Sequence, residues 1–363
     1  MTIAQRILFI LCFILIGAFS IKNTTEPDLW WQLTTGEWIV QHGEVPKVDF
    51  LSFTFKGEPW VNIKWGAEVI FYFVAKAISP EFIAFFVGML YMLLFYFLYR
   101  MMHSRKGFEL NNAFGFAALL FILTISHRIN GRPEVFSYLL TGLYLWIFYI
   151  SKNRAKWLYA LIPLQLIWTN LHEGFGIGIV MMGIFAISDF IEHRKINIQL
   201  FSILLLALAA MMLNPIGVKI YPYAINIFTQ LQTNTFTTEL SSFKQAEYWN
   251  TFAYLNVLGF VLSGFYLVKT YLNTKGKAFW TIVPAFHLIL FFAFFYLSLQ
   301  SNRNIVYFQL AALPLYYASL HAGKVKQLYL SIAAMCFIYL LVVSNKFYER
   351  YDENNTFGLE IPP

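Results

Sequence analysis

Eleven apolar stretches constrain what this chain can fold into more than any other feature. Residues 3–20, 81–102, 112–127, 135–151, 157–171, 174–190, 197–213, 251–268, 279–299, 305–320 and 327–343 are each apolar. They approach or reach the roughly 17–20 residues that a helix needs to cross a bilayer. Only 12% of the chain is charged and 59% is hydrophobic, against roughly 25% charged in soluble proteins, so no soluble domain is left over. The expected fold is all-α, a polytopic transmembrane helical bundle of about eleven spans.

Charge fixes the expected direction of the first helix. With Met1 inside and a crossing at each segment, the inner ends carry Arg6, Arg100, Arg105, Lys106, Lys152, Arg154, Lys156, Arg194, Lys195, Lys269, Lys275, Lys277, Lys324 and Lys326. That is 14 of the 26 basic residues, and only Glu109, Asp189 and Glu192 share their side, as the positive-inside rule requires. Residues 65–79 are also apolar, but 15 residues reach only about 22 Å as a helix, short of a hydrocarbon core of about 30 Å. Glu68, Tyr72 and Lys76 form one polar stripe there, so the segment reads as a helix lying in the interface. Counting it as a span would put KNRAK and TKGK outside.

The expected organisation is one transmembrane domain over residues 1–344. It has a long outer loop at 21–80 carrying interfacial helices, a second outer loop at 214–250, and a short outer tail at 345–363. No small-residue cleavage pair follows the first segment, so it reads as an uncleaved helix. Cys12 and Cys336 both lie in apolar stretches and read as packing residues rather than a disulfide framework. The net charge of +7 is explained by the inner loops, and no nucleic-acid partner is expected.

The unusual polar sequence falls on the outer side. EPDLWWQLTTGEWIVQHG places Glu26 and Asp28 just ahead of a helical segment with Trp30, Trp31 and Trp38. Asp28 reads either as a helix-start acid among interfacial tryptophans or as a chemical group at the bundle mouth. Asp49, Asn62 and Glu68 follow in the same loop; they read as acceptor or cation contacts, or as a turn aspartate and a solvated helix face. HRINGRPE packs Arg128, Arg132 and Glu134 between two apolar segments, where charge is costly without partners. Glu134 after Pro133 suits a helix start, whereas the two arginines suit an anion such as phosphate. WTNLHEGFGIG sets Asn170, His172 and Glu173 ahead of a glycine-spaced helix, and Arg303 in SNRN adds another outer cation. No histidine pair stands at metal-ligand spacing, so no metal site or cofactor is expected, although a divalent ion stays open.

In order along the chain, EPDLWWQLTTGEWIVQHG, EPWVNIKWGAEV, RPEVFSYLLTGLYL, IWTNLHEGFGIG, LNPIGVKIYPYA and RNIVYFQLAALPL resemble the GT-C membrane glycosyltransferases, and within them a bacterial group. Protein O-mannosyltransferases and aminoarabinose transferases are the better-studied relatives. The resemblance implies an enzyme of the bacterial cytoplasmic membrane that moves a sugar from a polyprenyl-phosphate donor to an acceptor on the outer face. It implies Asp28 as the base toward the acceptor, with 29–42 and 65–79 as interfacial helices. Arg128, Arg132, His172 and Arg303 would then hold the departing phosphate, with Glu134 orienting an arginine or the acceptor. Unlike the mannosyltransferases, the chain has no second acid after Asp28, no Asp-x-Asp and no large C-terminal soluble domain. Two other classes remain open on sequence grounds: a lipid or solute transporter, and a noncatalytic assembly subunit of the same fold.

Overall fold

The computed structural model describes residues 2–20, 28–104, 108–151, 154–233, 238–275, 278–322 and 328–344. Glu26, six of the inner basic residues (Arg105, Lys106, Lys152, Lys277, Lys324 and Lys326) and the tail 345–363 lie outside that set. Every apolar stretch is helical. In chain order the helices are α1 (Ile3–Ser20), α2 (Asp28–His42), α3 (Trp65–Ala77), α4 (Phe82–His103), α5 (Asn112–Ile125), α6 (Glu134–Ser151), α7 (Leu161–Leu171) and α8 (Gly176–His193). There follow α9 (Ile198–Met211), α10 (Ile220–Thr233), α11 (Thr251–Thr274), α12 (Phe279–Ile282), α13 (Ala285–Gln300), α14 (Ile305–Ala322) and α15 (Leu328–Ser344). No strand forms among the described residues; a single antiparallel bridge joins Val48 to Pro59.

Among the described residues, five helical stretches are long and apolar enough to cross a membrane: Ile3–Ser20, Phe82–His103, Glu134–Ser151, Glu173–His193 and Thr251–Thr274. Two of the remaining apolar segments are interrupted for identifiable local reasons. The 157–171 segment opens as a 3-10 turn over Ala155–Ala160 before α7. The 279–299 segment is broken after Ile282, because Pro284 has no amide hydrogen to carry a helix through and instead stands at the start of α13. Asparagines start three of the helices: the side chains of Asn111, Asn197 and Asn250 accept amide hydrogens of α5, α9 and α11. Arg194 and Lys275 adopt left-handed backbone and end α8 and α11 next to basic loops.

Side-chain bonds sort the helix ends into two groups. At one end Gln5 meets the Leu110 carbonyl, Asn111 meets His321, and Glu192 accepts the Ala285 amide. At the opposite end lie the starts of α2, α6, α8 and α14, where the outer polar motifs gather. Polar ladders hold the bundle between the ends: Gln309 donates to Asn256, which donates to Ser298 (both 3.0 Å), joining α14, α11 and α13. Such bonds specify helix pairing where lipid supplies little hydrophobic drive.

The two helices of the first outer loop pack tightly on each other and on the bundle. Gly36 of α2 abuts the Glu68 carbonyl of α3 so closely that a methyl group would overlap it. Here the stripe expected along residues 65–79 is corrected: Lys76 is exposed and Tyr72 half-buried, but Glu68 is completely buried. The helix rolls its first turn, not its tail, under α2. Gly36→Ala is expected to destabilise by about 1–3 kcal/mol through overpacking. Gly264→Ala, where the added methyl meets open space in α11, should be neutral or stabilising by up to about 1 kcal/mol. Thermal unfolding of the two variants in detergent compares them.

Candidate functional site

At the outer-motif end, five of the singled-out residues join a chain of ion pairs. The turn between α5 and α6 brings Arg128 back onto the first residue of α6, with its Nε donating to Glu134 Oε1 at 2.8 Å and its Nη2 in ion-pair contact with the same oxygen at 2.5 Å. Glu134 Oε2 takes the Nε of Arg303, at 3.0 Å, from the turn before α14. Arg128 Nη1 also reaches Glu239 Oε2 at 3.3 Å, and Arg132 Nη1 reaches the same oxygen at 2.6 Å. Arg132 Nη2 in turn lies 3.6 Å from Asp28 Oδ2 at the start of α2. The order Asp28, Arg132, Glu239, Arg128, Glu134, Arg303 is thus one continuous chain, buried at Arg128 and Glu134 and more exposed at both ends.

Burial falls off toward Asp28. Arg128 and Glu134 are 4% and 2% exposed, whereas Glu239 is 30% and Asp28 45% exposed. A buried ion pair stripped of one member costs about 3–5 kcal/mol, so Arg128 and Glu134 hold each other in place. Backbone is pinned with them: Tyr91 and Tyr138 donate their hydroxyls to the Arg128 and Arg303 carbonyls. Glu239 is held because Ser301 donates to its carbonyl and Phe243 to that of Leu299, stitching the second outer loop to the end of α13. Charges also divide along the chain. Arg128 and Arg303 against Glu134 leave one positive charge at the inner end; Asp28 and Glu239 against Arg132 leave one negative charge at the outer end.

The inner end opens into a cleft of about 360 Å³ between α6, α8, α10, α13 and α14. Glu134, His172, Glu173 and Arg303 line its polar part, and Ile177, Val180, Phe294 and Leu297 its apolar walls. Val180 and Tyr296, both exposed on the helix flanks, stand at its mouth, so the cleft opens sideways where a membrane chain meets lipid. Glu173 accepts the Tyr223 hydroxyl from α10 at 3.3 Å.

His172 is held by its Nδ1. The Gly174 amide donates to it at 3.0 Å, and the Ser137 hydroxyl lies 2.7 Å away. Burial lowers its imidazole to about 4; Glu173 and Glu134 oppose that shift and Arg303 adds to it.

The remaining loop residues do different work. Trp31 donates its indole hydrogen to Asp28 Oδ1 (3.3 Å), carries Lys64 over its ring at 4.7 Å, and begins an aromatic row with Trp60, Phe50 and Trp38. Asp49 turns its carboxylate onto its own loop, where the Leu51 and Ser52 amides and the Ser52 hydroxyl bond it; the Ser52 bonds hold its pKa below the usual range. Asn170 is a clip, accepting from the Trp65 indole and from Asn214. Asn62 is buried and donates to Glu68 Oε2 at 2.5 Å. Glu68 is therefore no solvated face residue, and burial pushes its carboxyl up to about 7 against the Asn62 bond and Lys64.

Sequence reasoning missed Glu239, Ser137 and Trp168, whose indole donates to Ser137 Oγ. Glu239 sits in an unremarkable polar stretch, and Ser137 and Trp168 read as ordinary span residues; only the fold joins them to the site. Among the described residues, no three His, Cys, Asp or Glu side chains gather as metal ligands. The fold and site together define a bundle of apolar helices of membrane-protein character, with a charged centre at one end and beside it a cleft whose mouth is flanked by exposed Val180 and Tyr296. Compared with known protein families and with curated proteins, the sequence matches none.

Glu68 binds its proton more tightly in the folded chain than in the unfolded one. The stability it lends is therefore whole below pH 4.5 and is lost as pH rises through about 7. The melting temperature is expected to fall between pH 5 and 8 by the equivalent of about 1–3 kcal/mol, and Glu68→Gln should flatten that part of the profile.

Proposed function

We propose that this chain is a GT-C-like glycosyltransferase of eleven spans in a bacterial cytoplasmic membrane. It moves a sugar from a polyprenyl-phosphate donor to an acceptor on the outer face. The observation that carries this reading is the lipid-facing cleft whose polar end holds Arg303 and adjoins the ion-pair chain leading to Asp28. An isoprenoid tail suits the apolar walls between α8 and α13, and its phosphate suits the positive end of the chain. The aqueous acceptor suits the other, negative end, where Asp28 stands half-exposed beside the aromatic row.

In the reaction so read, the Asp28 carboxylate takes the proton of the acceptor hydroxyl. The freed oxygen attacks the anomeric carbon as the bond from that carbon to the phosphate oxygen breaks, and the phosphate leaves with the electron pair. The anomeric configuration inverts. Arg303 stabilises the charge that develops on the phosphate, the kind of fixed electrostatic help that lowers such barriers most. Arg128 and Glu134 act through Arg303: buried and mutually paired, they fix where its guanidinium stands. Glu173, held by Tyr223, borders the same space and limits how the sugar turns in it.

A transporter would set ionisable groups near the middle of its spans. In the described long helices, the charged residues stand within about two turns of a helix end instead. Asp28→Asn tests the proposal directly. Consumption of a polyprenyl-phosphate-linked sugar in proteoliposomes is expected to fall by about 10²- to 10⁴-fold, with melting temperature unchanged because the ion pair removed is half-exposed. Turnover equal to the parent protein would remove Asp28 as the base.

A further inference from the structure

His172 has a fixed tautomer, and the hydrogen bonds around it decide which one. The Gly174 amide can only donate, so Nδ1, which receives it at 3.0 Å, carries no proton. The second contact agrees. Ser137 Oγ accepts the indole hydrogen of Trp168 at 2.7 Å and still has its own hydroxyl proton to give to His172 Nδ1, also at 2.7 Å. Trp168 is completely buried and its indole is a donor only, so this direction cannot reverse. The ring proton must then sit on Nε2. Among the described residues no group bonds Nε2, and His172 lines the polar end of the cleft.

We infer that His172 is a neutral, Nε2-protonated hydrogen-bond donor that grips an anionic phosphate-ester oxygen beside Arg303, with Ser137 and Trp168 as its positioning residues. The inference rests on the reading of the cleft as a phosphate site. It changes the part His172 plays: the ring neither supplies positive charge nor takes a proton, because Nδ1 is occupied and Nε2 is already protonated. Among the residues lining the cleft, positive charge comes from Arg303. Its Nε is committed to Glu134 at 3.0 Å, whereas its terminal nitrogens have no partner among the described residues, and Arg303 lines the same cleft. A cation and a neutral donor together hold the phosphate less tightly than two cations would, which lets the product phosphate leave.

The groups facing His172 are Glu173 on its own turn, Glu134 on α6, Arg303 before α14 and Lys64 before α3. The carboxylates and the cations are evenly matched, so burial dominates and the ring stays neutral through the physiological range.

Nitrogen-15 spectra of [¹⁵N]histidine-labelled protein in nanodiscs read the tautomer, with His172 assigned by difference against His172→Gln. A neutral ring with the proton on Nε2 is expected from pH 5.5 to 8, and Ser137→Ala, which leaves the Gly174 amide on Nδ1, should keep that tautomer and shift only the Nδ1 resonance. A protonated imidazolium at pH 6, or a ring protonated on Nδ1 in the parent protein, would overturn the inference whatever the protein's activity. Adding polyprenyl monophosphate should then move the Nε2–H resonance, and inorganic phosphate should not. A resonance moved by neither would remove His172 from the phosphate site. One moved equally by inorganic phosphate would keep its donor role and defeat the lipid-donor reading instead. In turnover, His172→Gln, whose amide also donates, should keep at least tenfold more activity than His172→Leu, and neither variant should shift the pH profile as loss of a titrating base would.

Discussion

The site depends on one buried carboxylate. Glu134 begins α6 at a point where it is 2% exposed, and it is tolerated there because Arg128 and Arg303 hold its two oxygens from different turns of the chain. Pairing of this kind does not add much net stability over an apolar core, but it is unforgiving of rearrangement. It therefore acts as a register pin. The turn after α5, the start of α6 and the turn before α14 can close together only with these three side chains in place. Everything else at that end of the bundle, including the cleft wall at α13 and α14 and the Glu239 loop laid over it, is positioned from that pin.

From the pin the charge pattern gives the site a direction. Within the ion-pair chain the charge left over is positive at the Arg303 end, which faces the cleft beside the Glu173 carboxylate, and negative at the exposed Asp28 end. The polar groups stand at one end of the helices while their middles stay apolar or pair through amides such as Asn256 and Gln309. Two substrates of opposite character could meet across this gradient, one arriving along the membrane and one from water. That physical arrangement, rather than any match to a known protein, supports the reading of a lipid-linked donor and a soluble acceptor.

Much of this could be read from the chain before folding. The apolar stretches became helices with nearly the expected bounds, because length and hydropathy alone decide where a span can lie. That Asp28, Arg128, Arg132, Glu134, His172 and Arg303 needed polar surroundings was visible because charge next to an apolar segment is expensive. Partnership was not visible. Nothing local distinguishes Glu239 from any loop acid, or tells that Ser137 and Trp168, 31 residues apart, share a hydrogen bond. Glu68 misled for a similar reason: helical periodicity shows which residues share a face, but not which neighbour that face meets. Pro284 was legible as a residue and overlooked as a break, since the hydropathy of its segment runs on unchanged.

The central claim is that the cleft between α8 and α13 holds the tail of a phosphate-bearing lipid. Photocrosslinking tests it most directly, with a benzophenone amino acid placed at Val180 in the cleft mouth or at Ile187, exposed further along the same helix and outside the cleft. The account predicts a crosslink to polyprenyl phosphate at Val180 that excess unlabelled polyprenyl phosphate abolishes and ordinary phospholipid does not, with only nonspecific lipid adducts at Ile187. Equal labelling at both positions, uncompeted by polyprenyl phosphate, would contradict it.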